Sequence, residues 1–200
     1  MRDRELVQIA DAALAEATVR AVREDGTSWL ACRPGCTACC HGVFRISMLD
    51  AARLRAGMVA LRVENPARAE AIRLRARSRA EALRAVFPGD ETTGLLGSDE
   101  AAWDAFADLP ETDAACPVLD PETGRCELYA ARPLTCRVFG PPVQNDEGIG
   151  MCELCYIGAS EAEILHGEMR LRHGALEEEL DREMPAGETV IAWALAVDEL

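Results

Sequence analysis

The chain has 200 residues, of which 49% are hydrophobic and 4% aromatic, and its formal net charge is −14. This length and apolar content suit a single globular domain whose core relies on Ala, Leu, Val and Ile side chains. The negative charge argues against general binding to nucleic-acid phosphates. No window reaches the roughly 18 apolar residues that a membrane span needs, so we expect no membrane insertion.

The first 31 residues are predicted to form an N-terminal helix and its exit. Apolar residues recur at helical spacing over residues 3–24, and Gly26 ends the pattern. The segment carries no apolar signal core, so we expect a cytoplasmic protein. Disulfides are disfavoured in that reducing compartment, and clustered thiols there indicate metal or redox chemistry.

A dense cysteine cluster follows this helix. Four of the nine cysteines, together with His41, lie within residues 32–41, and a Pro-Gly turn interrupts them. Short, turn-forming spacings between thiolates are typical of structural zinc sites and of iron–sulfur clusters. His41 follows the cluster directly and is a further candidate ligand.

Residues 48–108 are predicted to form helices inserted into the cysteine region. Ser47, with Asp50 three residues later, resembles a capping box for a helix that runs to about Val63. Asn65 and Pro66 favour a second helix start, with the helix running to about Phe87. Ser98 is predicted to cap a short third helix that contains Trp103 and Phe106.

The helix predicted over residues 66–87 is rich in arginine. Between Arg53 and Arg84 the chain has nine arginines and three glutamates, a local charge of +6. Arginine is a good helix former, so one interpretation is a solvated helix face. The other is a docking surface for an acidic protein partner.

The chain after residue 110 carries the other five cysteines. Asp120 and Gly124 favour a tight turn in a small β-hairpin between Cys116 and Cys126. Residues 132–137 are predicted to form a short helical turn, and residues 140–150 a loop that precedes the Cys152–Cys155 pair. C-terminal helices are predicted over residues 157–200: one from Ser160, as the N-terminal cap, to about Glu183, and a last one over residues 189–197.

All nine cysteines are candidate metal ligands. Cys36 with Cys39, and Cys152 with Cys155, have the C-x2-C spacing that brings two sulfurs to one ion. One or two of the nine could instead be buried small hydrophobic residues, a common situation for cysteine. The full candidate set is Cys32, Cys36, Cys39, Cys40, Cys116, Cys126, Cys136, Cys152 and Cys155.

Arginines near the cysteines are candidates for offsetting thiolate charge. Four thiolates around one Zn²⁺ leave about −2 on the site. Arg132 and Arg137 bracket Cys136, and Arg45 follows the first cluster closely. We expect these three side chains to support the ligands rather than to bind metal themselves.

The adjacent residues Cys39 and Cys40 suggest more than one metal atom per chain. Successive side chains diverge, so both sulfurs rarely reach one tetrahedral ion, and a closed zinc site needs only four ligands. One partition by spacing gives Cys36, Cys39, Cys152 and Cys155 to one centre. It leaves Cys40, Cys116, Cys126 and Cys136 for the other.

These cysteine segments resemble the CxxCxxCC cysteine-cluster family (YkgJ-type). The likeness is ordered along residues 32–156, although Cys32 and Cys36 enclose three residues where the family has two. The terminal cysteine of the pattern is Cys152 or Cys155. The other matching segments are Cys36–Cys40, Phe44–Asp50, Cys116–Leu119, Gly124–Tyr129 and Arg132–Phe139.

The resemblance implies a domain that chelates zinc or iron. Part of the family is associated with lysine N-methylation of flagellin alongside an iron–sulfur centre, although no glycine-rich S-adenosylmethionine loop is visible here. We therefore expect a mainly α protein whose cysteine-rich loops and hairpin hold zinc or an iron–sulfur cluster. The alternative is an iron–sulfur-dependent enzyme, such as a protein-lysine N-methyltransferase.

Overall fold

The structure, a computed structural model, describes residues 2–145, 148–171 and 174–196. The β-strands of these residues form short antiparallel pairs, and the cysteine segments lie largely in loops. The prediction of a mainly α protein is confirmed. The helices of the described residues are α1 (Arg2–Arg20), α2 (Met48–Glu64), α3 (Pro66–Leu83), α4 (Glu100–Ala107), α5 (Leu134–Val138), α6 (Glu161–Gly167), α7 (Gly174–Asp181) and α8 (Ile191–Ala196).

The backbone contacts divide the chain into two compact units. Unit 1 comprises Met1–Cys39 and Leu134–Leu180, and unit 2 comprises Cys40–Pro133 and Asp181–Leu200. The boundary in the first cluster thus falls between the adjacent residues Cys39 and Cys40. The organisation as a single domain stays a prediction.

Unit 1 is built on α1, which packs against α5 and α6. Small buried residues of α1, among them Ala13 and Ala17, contact Met169. The helix ends at Arg20, earlier than the sequence predicted, because the chain turns back on itself: the Trp29 N–H donates to the Ala21 carbonyl at 2.9 Å. The Asp25 carboxylate accepts the Thr27 N–H and fixes this turn.

Two further predictions for unit 1 were wrong. Residues 140–150 contain a hairpin, β4 (Val143–Asn145) with β5 (Gly148–Gly150), rather than only a loop. The helix that begins after Ser160 does have the expected capping box with Glu163, but it ends at Gly167 instead of about Glu183. The chain leaves the helix there because the Met169 N–H donates to the Pro142 carbonyl at 2.7 Å.

Unit 2 is organised around α2, α3 and α8. The expected starts of α2 and α3 are confirmed, since Ser47 Oγ accepts the Asp50 N–H and Asn65 Oδ1 accepts the Arg68 N–H. Local sequence specifies these caps because donor and acceptor lie only three residues apart. The core of the unit includes Leu83, and the Phe87 ring stacks on Trp193 with centroids 4.1 Å apart.

The rest of unit 2 shows long-range pairing and one different cap. Strand β1 (Arg45–Ser47) pairs with β6 (Glu188–Val190), and β2 (Gly89–Asp90) pairs with β3 (Leu95–Leu96). Asp99, not Ser98, caps α4, because its carboxylate accepts the Ala102 N–H at 3.2 Å. The last predicted helix begins at Ile191, after β6, and its expected end at Val197 lies outside the described residues.

Candidate metal centre

In unit 1 the Cys152–Cys155 knuckle is fixed by backbone hydrogen bonds. The Cys155 N–H donates to the Cys152 carbonyl at 2.9 Å, and the Cys152 N–H donates to the Gly140 carbonyl at 3.2 Å. Tyr156 has a φ of 54°, a left-handed conformation that is costly for a bulky residue. The knuckle therefore turns sharply just after its second cysteine.

The knuckle lies against the segment that leads into the first cysteine cluster. The Tyr156 N–H donates to the Trp29 carbonyl at 2.8 Å, and the Ala31 N–H points at Cys155 Sγ at 3.4 Å. The Trp29 and Tyr156 rings stack, with centroids 6.1 Å apart. These contacts fix the Cys155 side chain against the segment that leads into Cys32.

Five cysteines converge in this part of unit 1. Desolvation, together with the neighbouring Cys155, Cys152 and Cys36 sulfurs, raises the pKa of the Cys32 thiol to about 12. Burial raises the pKa of Cys152 as well, with contributions from Cys155 and Cys39. Neighbouring thiols whose ionisation is disfavoured in this way are groups that one bound cation could stabilise together as thiolates. The convergence includes Cys32, the residue that departs from the family spacing.

In unit 2, backbone hydrogen bonds connect the segments that carry Cys40, Cys116 and Cys126. The Cys116 N–H donates to the Cys40 carbonyl at 2.7 Å, which joins the first cluster to the later segment. Beyond Cys116 the chain forms the expected hairpin-like turn, in which Leu119 pairs with Cys126. These three cysteines are half-buried, whereas Cys152 and Cys155 are buried.

The candidate supporting residues have carboxylate or aromatic neighbours. Arg137 is buried on α5, one residue after Cys136, and donates to Asp11 Oδ1 at 2.9 Å. Arg45 pairs with Glu100 and lies over the Trp103 ring. Arg132 lies over the Tyr129 ring, at 3.7 Å from its centroid. Their predicted role in offsetting thiolate charge stays a prediction.

The donor set fits a thiolate-bound metal. All nine cysteines carry thiols rather than disulfide bonds, and thiolates are preferred ligands of zinc and of iron–sulfur clusters. In the described part of the chain, however, no three His, Cys, Asp or Glu side chains are spaced to hold a metal ion.

A comparison with protein-family models identifies the family of these cysteine segments. Residues 31–156 match the model of the CxxCxxCC family, which is described as a "putative zinc- or iron-chelating domain". The chain belongs to the CxxCxxCC family. Membership supports metal binding by the cysteine cluster, and the matched residues include all nine cysteines.

Two other comparisons gave no relatives. No curated protein and no solved structure matches the chain. Among the residues that the structure describes, no helix has the length and apolarity needed to cross a membrane.

Sequence reasoning missed several residues that shape the cysteine segments. Trp29 and Tyr156 pack beside the unit 1 knuckle. Their closeness in sequence to Cys32 and Cys155 could have indicated this role. Glu127 was also missed, although it follows Cys126 directly. His41, the further candidate ligand, is exposed and pairs through its backbone with Ala115.

Proposed function

We propose that this chain is a cytoplasmic protein that holds zinc or an iron–sulfur cluster through its cysteine thiolates. The observation that carries the proposal is that the segment leading into Cys32 is held against the Cys152–Cys155 knuckle, which is distant in sequence, by the Tyr156–Trp29 and Ala31–Cys155 hydrogen bonds. Fixing several thiols in mutual proximity costs free energy that a bound cation offsets. A metal bound there would tie the first cluster to the knuckle.

We further propose that each chain binds more than one metal atom. Four ligands complete a zinc site, and unit 1 alone contains six cysteines. Unit 2 adds Cys40, Cys116 and Cys126, whose segments are connected by backbone hydrogen bonds. The division of the chain between Cys39 and Cys40 supports assigning these two neighbours to different ligand sets.

Anaerobic purification followed by spectroscopy and native mass spectrometry tests both statements. An iron–sulfur protein is brown and absorbs near roughly 400 nm, whereas d¹⁰ zinc is colourless. We expect more than one metal atom per chain in the intact protein. A fully loaded, folded protein that holds a single mononuclear ion would refute the second statement, and one that retains no metal would refute the first.

Metal removal provides an independent test by hydrogen exchange. We expect residues 111–158 to lose protection on treatment with a chelator and a reductant, because metal-binding energy here is partly folding energy. Amides of α2 and α3 should keep their protection, since apolar side chains such as Leu54 and Ile72 are buried and the two helices pack against each other. Equal protection of residues 111–158 with and without metal would count against a structural role for the metal.

A further inference from the structure

Three arginines on one stripe of α3 contact the segment that carries Cys116 and Cys126. Arg68, Arg75 and Arg79 are spaced by seven and four residues, so they project from the same face of the helix. Each has a partner in residues 111–127. This face of the basic helix is therefore engaged within the chain.

Arg75 makes the two contacts that bear most directly on the cysteines. Its Nε donates to the Pro117 carbonyl at 2.8 Å, one residue after Cys116. Its Nη2 donates to the Glu127 carboxylate, one residue after Cys126. One planar guanidinium thus joins the backbone that follows one candidate ligand to the side chain that follows the other.

Glu127 depends on these arginines. Its side chain is only 5% exposed, and its two carboxylate oxygens accept from Arg68 and Arg75. A buried carboxylate without a cationic partner is strongly destabilising. The Glu127 N–H also donates to the Val118 carbonyl at 2.8 Å, so the acid lies within the hairpin's own backbone pairing.

Arg79 extends the same arrangement to the start of the segment. Its guanidinium donates to the carbonyls of Glu111 and Thr112, which end the short helical turn before Cys116. The Thr112 side chain is buried and bonds back to the Leu109 carbonyl. The chain therefore enters the cysteine hairpin from a position that α3 fixes.

We propose that Arg75 and Glu127 are positioning residues for Cys116 and Cys126. The pair acts through the backbone on either side of the hairpin. This inference rests on the proposed metal binding. Its physical basis is preorganisation: side chains that orient ligands reduce the free-energy cost of assembling the site, and their loss typically weakens metal affinity about 10–100-fold.

The test compares Arg75→Lys and Glu127→Gln with the control Arg73→Lys. Lysine keeps the positive charge but cannot reach both the Pro117 carbonyl and the Glu127 carboxylate with one planar group. Glutamine keeps the shape of Glu127 and loses its charge. Arg73 lies on the same helix and pairs with Glu70, within α3, so its substitution controls for general effects on α3.

Two measurements on the full-length protein separate the possible outcomes. In chelator competition, we expect Arg75→Lys and Glu127→Gln to release metal at least about tenfold faster than wild type, with Arg73→Lys unchanged. In metal-free protein, we expect the Cys116, Leu119 and Glu127 amides to exchange faster in the two variants while α3 amides are unaffected. Rates for both variants equal to those of the control would overturn the proposal.

Failure of the proposed function would look different. In that case wild type itself would retain no metal, while the exchange measurement would still report whether Arg75 and Glu127 hold the hairpin. If either variant fails to fold, shown by lost α-helical circular dichroism, the other decides the proposal by the same two readouts. Loss of α-helical signal in both variants would overturn a role confined to the hairpin.

Discussion

The two units hold their cysteines by different interactions. In unit 1, Cys152 and Cys155 are part of an apolar cluster with Ala21 and Tyr156, and Trp29 packs against it. In unit 2, Cys116 and Cys126 are half-buried, and the hairpin that carries them is tied to α3 through Arg75. Apolar packing adds to the backbone hydrogen bonds that hold the first pair of cysteines, whereas contacts with a charged side chain add to the backbone hydrogen bonds of the second.

This difference bears on what each unit can tolerate. Apolar packing around a sulfur is sensitive to added or lost volume. A contact between charged groups is sensitive instead to the loss of one partner, because the other charge then stays buried and unpaired. Substitutions that change volume and substitutions that change charge therefore test the two kinds of contact in each unit.

Loss of the buried ion pair in unit 2 should have the largest effect. Asp50 and Arg53 pair on α2, and each side chain is 7% exposed. Asp50→Asn should lower the free energy of unfolding by about 3–5 kcal/mol, because it removes the carboxylate charge that pairs with the buried Arg53 guanidinium. Chemical denaturation measures this, with the exposed Glu64→Gln at the end of α2 as the control. Equal stability of the two variants would contradict the importance of charge pairing in unit 2.

Added volume in unit 2 should be nearly as costly. A Cβ at Gly94, where φ is +75°, would lie 2.4 Å from Trp193 Cδ1 in the core. Gly94→Ala should therefore destabilise the protein by about 3 kcal/mol, from overpacking together with a strained backbone. Gly42→Ala is the matched control, because Gly42 also has positive φ but meets nothing within 4 Å. If a thermal melt shows Gly42→Ala to be as destabilised as Gly94→Ala, the backbone strain alone would account for the effect, and overpacking against Trp193 would contribute nothing.

In unit 1, the corresponding added volume would press on the Tyr156 ring beside the knuckle. A Cβ at Gly167 would lie 1.8 Å from Tyr156 Oη and 2.4 Å from its Cζ. Gly167→Ala should cost about 2 kcal/mol and should speed exchange of the Tyr156 amide, because the buried ring must shift. Gly174→Ala, which meets nothing within 4 Å, should be neutral or slightly stabilising. Unchanged exchange at Tyr156 would argue against packing as the support of the knuckle.

The smallest effect is expected for a charge in unit 1. Arg137→Ala removes a buried guanidinium beside Cys136 and should speed metal release about tenfold, as is typical of residues that support ligands. Arg73→Ala should leave release unchanged. Because Asp11, the partner of Arg137, is half-exposed, its carboxylate can be solvated after the substitution. Chelator competition in which the two variants behave alike would contradict a supporting role for Arg137.

Sequence by itself determined the features that depend on near neighbours. The caps at Ser47, Asn65 and Ser160 were predictable because a side-chain acceptor and its N–H donor lie three residues apart. The C-x2-C pairs and the ordered motif identified the family for the same reason, since short spacings are set by the chain itself.

Only the tertiary structure decided the long-range relations. It ended α1 at Arg20 and α6 at Gly167, where hydrogen bonds to distant segments compete with helical ones. It brought the segment that leads into Cys32 against the Cys152–Cys155 knuckle. It also gave the arginines of α3 their partners, because a helical pattern shows which residues share a face but not what that face contacts. Such contacts depend on how the chain closes over many residues, and no local spacing encodes that.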